Sequence, residues 1–113
     1  MTSEASRKAA RQAYKARIPP RGAFAVRCTA TGRTWVGSGP NLDAARNQLW
    51  SMLRTGACYE VALQAEWTTH GEGAFVFETL ELLPDDVSAL NLRDELNATK
   101  TRWAVELGAA PLR

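Results

Sequence analysis

The sequence predicts an α+β domain: a small three-stranded, mostly antiparallel sheet flanked by helices, with an extra basic helix ahead of it. Three observations carry this reading. The stretch Ala23–Thr29 and the segment Thr34–Val36 are strand-like, and the turn Thr31-Gly32-Arg33 between them makes a hairpin. Apolar residues then recur at helical spacing, at Leu42, Ala45, Leu49 and Met52 or Leu53. A further strand pattern, Ala74–Leu83, sits between two more helical stretches, so the order is helix, strand, strand, helix, helix, strand, helix. With 113 residues the chain has the size of one domain, since soluble domains mostly run about 100–150 residues.

From Ser3 to Arg17 a helix is expected. Ala5, Ala9 and Ala13, and Ala10 with Tyr14, recur every fourth residue, and nothing breaks the pattern. Arg7, Arg11 and Lys15 share that spacing and form a ladder of positive charge, with Lys8 beside it. The apolar side is mostly alanine and buries little area, so this helix is an appendage. Pro19 and Pro20 end it, because the residue before a proline is pushed out of the helical region. Residues 1–21 are therefore a basic helix and linker, and 22–113 the domain. After the hairpin, Gly37-Ser38-Gly39-Pro40 reads as a loop, and Asn41 as the N-cap of a helix over residues 42–55 that Gly56 closes. Another helix runs from Glu60 to about Thr69, with Leu63 and Trp67 one turn apart, until Gly71 and Gly73 stop it. Ala74–Leu83 carries apolar residues on both faces, the mark of a central, doubly covered strand. Pro84-Asp85-Asp86 turns into a last helix to about Leu107, with Leu96, Trp103 and Leu107 on its buried side.

A hydrophobic fraction of 45% and a charged fraction of 23% exclude a disordered chain. No apolar run approaches the ~20 residues of a membrane span, and no signal-peptide stretch opens the sequence, so a cytoplasmic protein without membrane contact is expected. Cys28 and Cys58 form no CxxC pair. With His70 the single histidine, no His/Cys metal cluster is expected and both thiols should be reduced. The net charge of +2 hides a division: residues 1–59 hold ten Lys/Arg against two acids, and residues 60–113 four against ten. A basic half of this kind suits an anionic partner such as nucleic acid.

With Gly22-Ala23-Phe24 on the first strand, Trp35-Val36-Gly37 on the second, then Ser38, Asn41-Leu42 and a helix carrying Arg46, the chain resembles the GIY-YIG nuclease superfamily. Leu63-Gln64, His70-Gly71 and Phe77-Glu78-Thr79-Leu80-Glu81 are similar to the middle of its homing-endonuclease branch. The resemblance spans residues 22–107 and implies a GIY-YIG-like fold of bacterial, cytosolic type. It also implies hydrolysis of a DNA phosphodiester bond with one magnesium ion. Tyrosines would handle the attacking water, an arginine on the first core helix would stabilise the phosphate, and a glutamate on the last helix would hold the metal. This sequence departs from that pattern residue by residue. Phe24 stands where the first tyrosine is expected and has no hydroxyl; Trp35 stands where the second is expected and cannot act as a base. The arginine position, ten residues after Trp35, holds Ala45, and Arg46 follows one residue later, about 100° round the helix. Leu49 takes the place of a histidine one turn further on. Lys100 occupies the glutamate position three residues before Trp103, with Glu95 and Glu106 elsewhere on the same helix.

These substitutions lead to the expectation of a domain that binds nucleic acid, DNA above all, with weak or absent metal-dependent hydrolysis. Phe24, Trp35 and Arg46 hold the catalytic positions. Gly22, Gly37, Ser38, Arg46 and Lys100, with Arg7, Arg11 and Lys15 of the basic helix, are the candidate nucleic-acid contacts. No residue is assigned to a metal, and magnesium is expected only in an active enzyme. Two alternatives stay open: an active magnesium-dependent DNA endonuclease with a rearranged site, and a non-catalytic structural or protein-interaction module.

Overall fold

The computed structural model describes residues 19–84 and 86–112. The basic helix expected over Ser3–Arg17, with Arg7, Arg11 and Lys15, lies outside the described residues. Arg21, assigned to the linker, is buried, and its carbonyl accepts a hydrogen bond from the Leu83 N–H at 2.7 Å, so it belongs with the sheet.

β1 (Gly22–Cys28) and β2 (Thr34–Gly39) form the expected antiparallel hairpin, in register from Gly22 opposite Gly39 to Arg27 opposite Thr34. β1 pairs on its other side with β3 (Phe75–Leu82), also antiparallel. A fourth strand, β4 (Ala110–Pro111), runs parallel to β2, giving the order β3-β1-β2-β4. The sheet is thus four-stranded and mixed, where three strands were expected. Two residues have no period to read, and Pro111 argues against a strand. The Leu112 N–H donates to the Val36 carbonyl at 2.7 Å and continues the pairing.

The strand order corrects two more expectations. Ala74–Leu83 was expected at the centre of the sheet, but β3 is an edge strand and the almost wholly buried β1 is central. Phe75 and Phe77 pack on Trp67 and Trp50 of the helices, while Leu82 is 57% exposed, so the second run of apolar residues does not mark a doubly covered strand. Gly37-Ser38-Gly39, expected as a loop, is the second half of β2: these residues pair with Phe24, Ala23 and Gly22. Glycine and serine carry little strand signal of their own, and the hairpin ladder supplies what they lack.

α1 (Leu42–Thr55) begins where Asn41 accepts from the Ala44 N–H at 3.0 Å, and Gly56 closes it. α2 is Val61–His70, and α3 is Ala89–Leu107, capped by Ser88. Phe24, Val26, Cys28 and Trp35 meet Leu49, Trp50 and Leu53 of α1 and Leu63 and Trp67 of α2 in one core. α3 packs on β1 and β2. Its buried residues are Leu96, Thr99 and Ala104; Leu107, expected inside, is 45% exposed in the last turn, where the chain leaves for β4. No helix among the described residues is long and apolar enough to cross a membrane.

Trp103 is only half-buried because its indole N–H donates to Glu81 Oε1 of β3 at 2.8 Å, and Arg102 donates to the same carboxylate. These contacts, the indole bond foremost, hold the Glu81 carboxyl below its ordinary range. A carboxyl with a depressed folded pKa adds stability above its unfolded pKa and loses it as the pH falls through the folded value. Unfolding followed from about pH 7 to about pH 2 should therefore show stability lost through and below the usual carboxylate range. Glu81→Gln should lose less over that interval. An equal loss in the variant would mean that the contact contributes nothing.

Candidate functional site

Two clefts meet at Ser38, near the end of β2. The first, of about 290 Å³, is lined by Phe24, Ser38, Ala45, Gln48, Leu49, Met52, Tyr59 and Leu112. The second, of about 320 Å³ on the α3 side, is lined by Ser38, Gly39, Pro40, Ala89, Leu92, Arg93, Leu96, Asn97 and Lys100. β2 places Ser38 in both.

Phe24 is buried in the first cleft, its ring stacked on Phe77 with centroids 4.6 Å apart and planes at 21°. Gly37 is opposite it in the register, and a Cβ there would stand 2.4 Å from Phe24 Cζ. The missing side chain of Gly37 is what gives the ring its place. Trp35, two residues earlier on the same face, is 1% exposed within the core and lines neither of these clefts. Ala45 and Leu49 of α1, one turn apart, line the first cleft. Arg46, one step round the helix, is turned away from it: its guanidinium lies 5.6 Å from the centre of the Trp50 ring. Its charge also acts on Glu72, whose carboxyl is held below its usual range mainly by its hydrogen bonds with Arg54, at 2.8 Å from each oxygen. Lys100 lines the second cleft, and its ammonium donates to the Leu112 carbonyl at 2.7 Å, tying α3 to the residue after β4.

The fold therefore gathers Phe24, Ser38 and Lys100 around the two clefts, with Gly37 beneath Phe24. Gly22 supports β1 from the pairing side, and Trp35 and Arg46 stand elsewhere. Among the cleft residues not singled out in the sequence, three bring chemistry or closure to the clefts. Tyr59, from the segment between α1 and α2, brings a phenol-bearing side chain to the first cleft in place of either motif position. Arg93 adds a second cation to the other cleft, one helical repeat before Lys100. Leu112 arrives with β4, which had no sequence signal. Arg93 was legible at seven residues before Lys100, on the same helix face.

No protein-family model matches the chain, and no curated protein matches it significantly. Among solved structures, the catalytic domain of the homing endonuclease I-TevI matches with a TM-score of 0.69 and 21% identity, over 82% of this chain and 98% of that one. A point mutant of that intron endonuclease's catalytic domain matches with a TM-score of 0.68 and 21% identity, over 79% and 84%. The chain has a GIY-YIG-like fold. The hairpin, the helix after it and the last helix follow one another along the chain in the order expected.

The fold implies a magnesium ion, and the described residues that line these two clefts do not fit one. Among the described residues no carboxylate lines either cleft. Magnesium is normally held through one or two carboxylates, and the ammonium of Lys100 opposes a divalent cation. Glu95 and Glu106 are exposed on α3 and line neither cleft.

Both cysteines are free and buried, and burial pushes the Cys58 thiol up. One grouping of potential ligand atoms is formed by the fold and not by sequence spacing. Ligand atoms of Cys28, Glu66 and His70 all lie within 4.8 Å of one another. Cys28 is far from the other two along the chain, and the fold brings β1 to α2.

Proposed function

We propose that this GIY-YIG-like domain is a cytoplasmic nucleic-acid-binding module, taking DNA above all, with little or no phosphodiester hydrolysis. The observation that carries the reading is a pair of adjoining clefts with two cations, Arg93 and Lys100, and no carboxylate among the described lining residues. Cations beside Ser38 attract a phosphate backbone without generating a nucleophile. Phe24 has no hydroxyl with which to hold or deprotonate a water, and Ala45 brings no charge to the phosphate. The basic half of the sequence supports the same reading: ten Lys/Arg against two acids over residues 1–59.

The test is binding and cleavage of linear, nicked and branched DNA by the full chain, across a salt series, with magnesium or manganese against a chelator. Affinity should fall steeply as salt rises, and no cleavage product should form. Arg93→Ala and Lys100→Ala should each weaken binding and reduce the salt slope by about one. Metal-dependent cleavage abolished by Arg46→Ala would replace this reading with a rebuilt endonuclease site. No binding at low salt would leave a structural or protein-interaction module.

A further inference from the structure

Away from the clefts, the end of β1 and the last turn of α2 bring together three different metal-ligating groups. Cys28 is fully buried, Glu66 is half-buried, and His70 lies at the surface. One ligand atom of each, the Cys28 Sγ among them, lies within 4.8 Å of the other two. We propose that Cys28, Glu66 and His70 form a binding site for a transition-metal ion of the zinc class, pinning the β1–β2 hairpin to α2. The site uses none of the cleft residues and does not depend on the nucleic-acid reading.

The chemistry of the donor set selects the ion. Thiolate, imidazole and carboxylate together are the ligands of zinc; magnesium and calcium take oxygen alone. Ligands roughly 2.0–2.3 Å from a zinc ion at tetrahedral angles stand about 3.3–3.8 Å apart, so closing on the metal needs movements of about 1 Å. His70 Nε2 and Glu66 Oε2 are already 3.6 Å apart, one helical turn from each other. A Glu–His pair at that spacing needs no metal to explain it. The buried thiol beneath both is what a surface ion pair does not require.

The surrounding contacts orient the set as a metal site needs. Thr31, in the hairpin turn, donates its hydroxyl to Glu66 Oε1 at 2.8 Å, leaving Oε2 on the side of His70. A ligating carboxylate held by a neighbour in this way keeps its angle to the metal. Cys28 is fixed by its own backbone, its N–H donating to the Arg33 carbonyl at 2.9 Å and its carbonyl accepting from the Gly32 N–H at 2.7 Å. His70 faces the surface and gives the ion its way in. Binding replaces the Cys28 S–H bond with a sulfur–metal bond and releases that proton to solvent. Three protein ligands leave the fourth tetrahedral position to a water.

The test is titration of the reduced, metal-free full chain with cobalt(II) as the spectroscopic stand-in, then displacement by zinc(II). The expected result is saturation at one equivalent, a thiolate-to-cobalt charge-transfer band in the near ultraviolet, and tetrahedral bands in the visible that zinc erases. Zinc should also raise the unfolding temperature, and a chelator should reverse the rise. The band should survive Cys58→Ala and vanish in Cys28→Ser. Because Cys28 is buried, that variant is backed by surface changes. His70→Ala should weaken binding by at least about 100-fold, since disturbing a residue that only orients a ligand already costs about 10–100-fold, as expected for Thr31→Ala. Absence of a thiolate band in the unmodified chain would overturn the proposal. So would a band that persists in Cys28→Ser, or unchanged affinity in His70→Ala.

Discussion

Gly22→Ala should lower the stability of the domain by about 3 kcal/mol or more, a large share of the roughly 5–15 kcal/mol that holds a protein of this size together. Gly22 has φ +153°, a conformation L side chains rarely adopt. A Cβ built there would stand 1.9 Å from the Glu81 carbonyl oxygen and 2.9 Å from Leu82 Cα. Both obstacles are backbone, so no rotamer change removes them. They belong to the β1–β3 pairing beside the register shift between Ala23 and Phe24, and yielding would pull β3 from the central strand. At Gly37 the obstacle is the Phe24 ring, which can move at the expense of its stack on Phe77. Urea unfolding measures the difference directly. A loss below about 0.5 kcal/mol, the range of ordinary surface substitutions, would mean that the strand pairing around Gly22 is not as described.

Trp35→Ala should cost about 3–5 kcal/mol, the range for removing a buried aromatic ring. In a domain of this size that lowers the unfolding temperature on the order of 15 °C. Trp35 holds a catalytic position in the resemblance, yet it is 1% exposed and packed in the core with residues of α1 and α2. Its replacement should therefore be read in thermal unfolding, and binding by the protein that remains folded should change little. A variant as stable as the parent but weakened in DNA binding would return Trp35 to the cleft. The motif aromatics share a fate: Phe24 and Trp35 both belong to the buried core. In this chain both hairpin aromatics serve packing.

Much of the fold was legible because it rests on local interactions. The apolar stripe of α1, with Asn41 before it and Gly56 after it, involves residues within a few positions of one another, and α1 spans Leu42–Thr55 as expected. The same holds for the turn at Gly32 and for Leu63 and Trp67, buried one turn apart on α2. Part of the site was legible for the same reason. A one-residue offset on a helix is a rotation of about 100°, and that offset puts Ala45 in the cleft and Arg46 over Trp50.

What the sequence determined by itself, then, is the succession of elements from the hairpin to the last helix, the glycines of the hairpin, and a phenylalanine, a tryptophan and a lysine at positions 24, 35 and 100. Those follow from residue type and short spacing, to which backbone propensity and helical periodicity respond. The tertiary structure decided which strand is central, that Ala110–Pro111 joins the sheet, that Lys100 reaches the Leu112 carbonyl, and that Cys28 lies under Glu66 and His70. Each of these joins residues distant along the chain, and such contacts are set by strand register and helix packing, which no local pattern records.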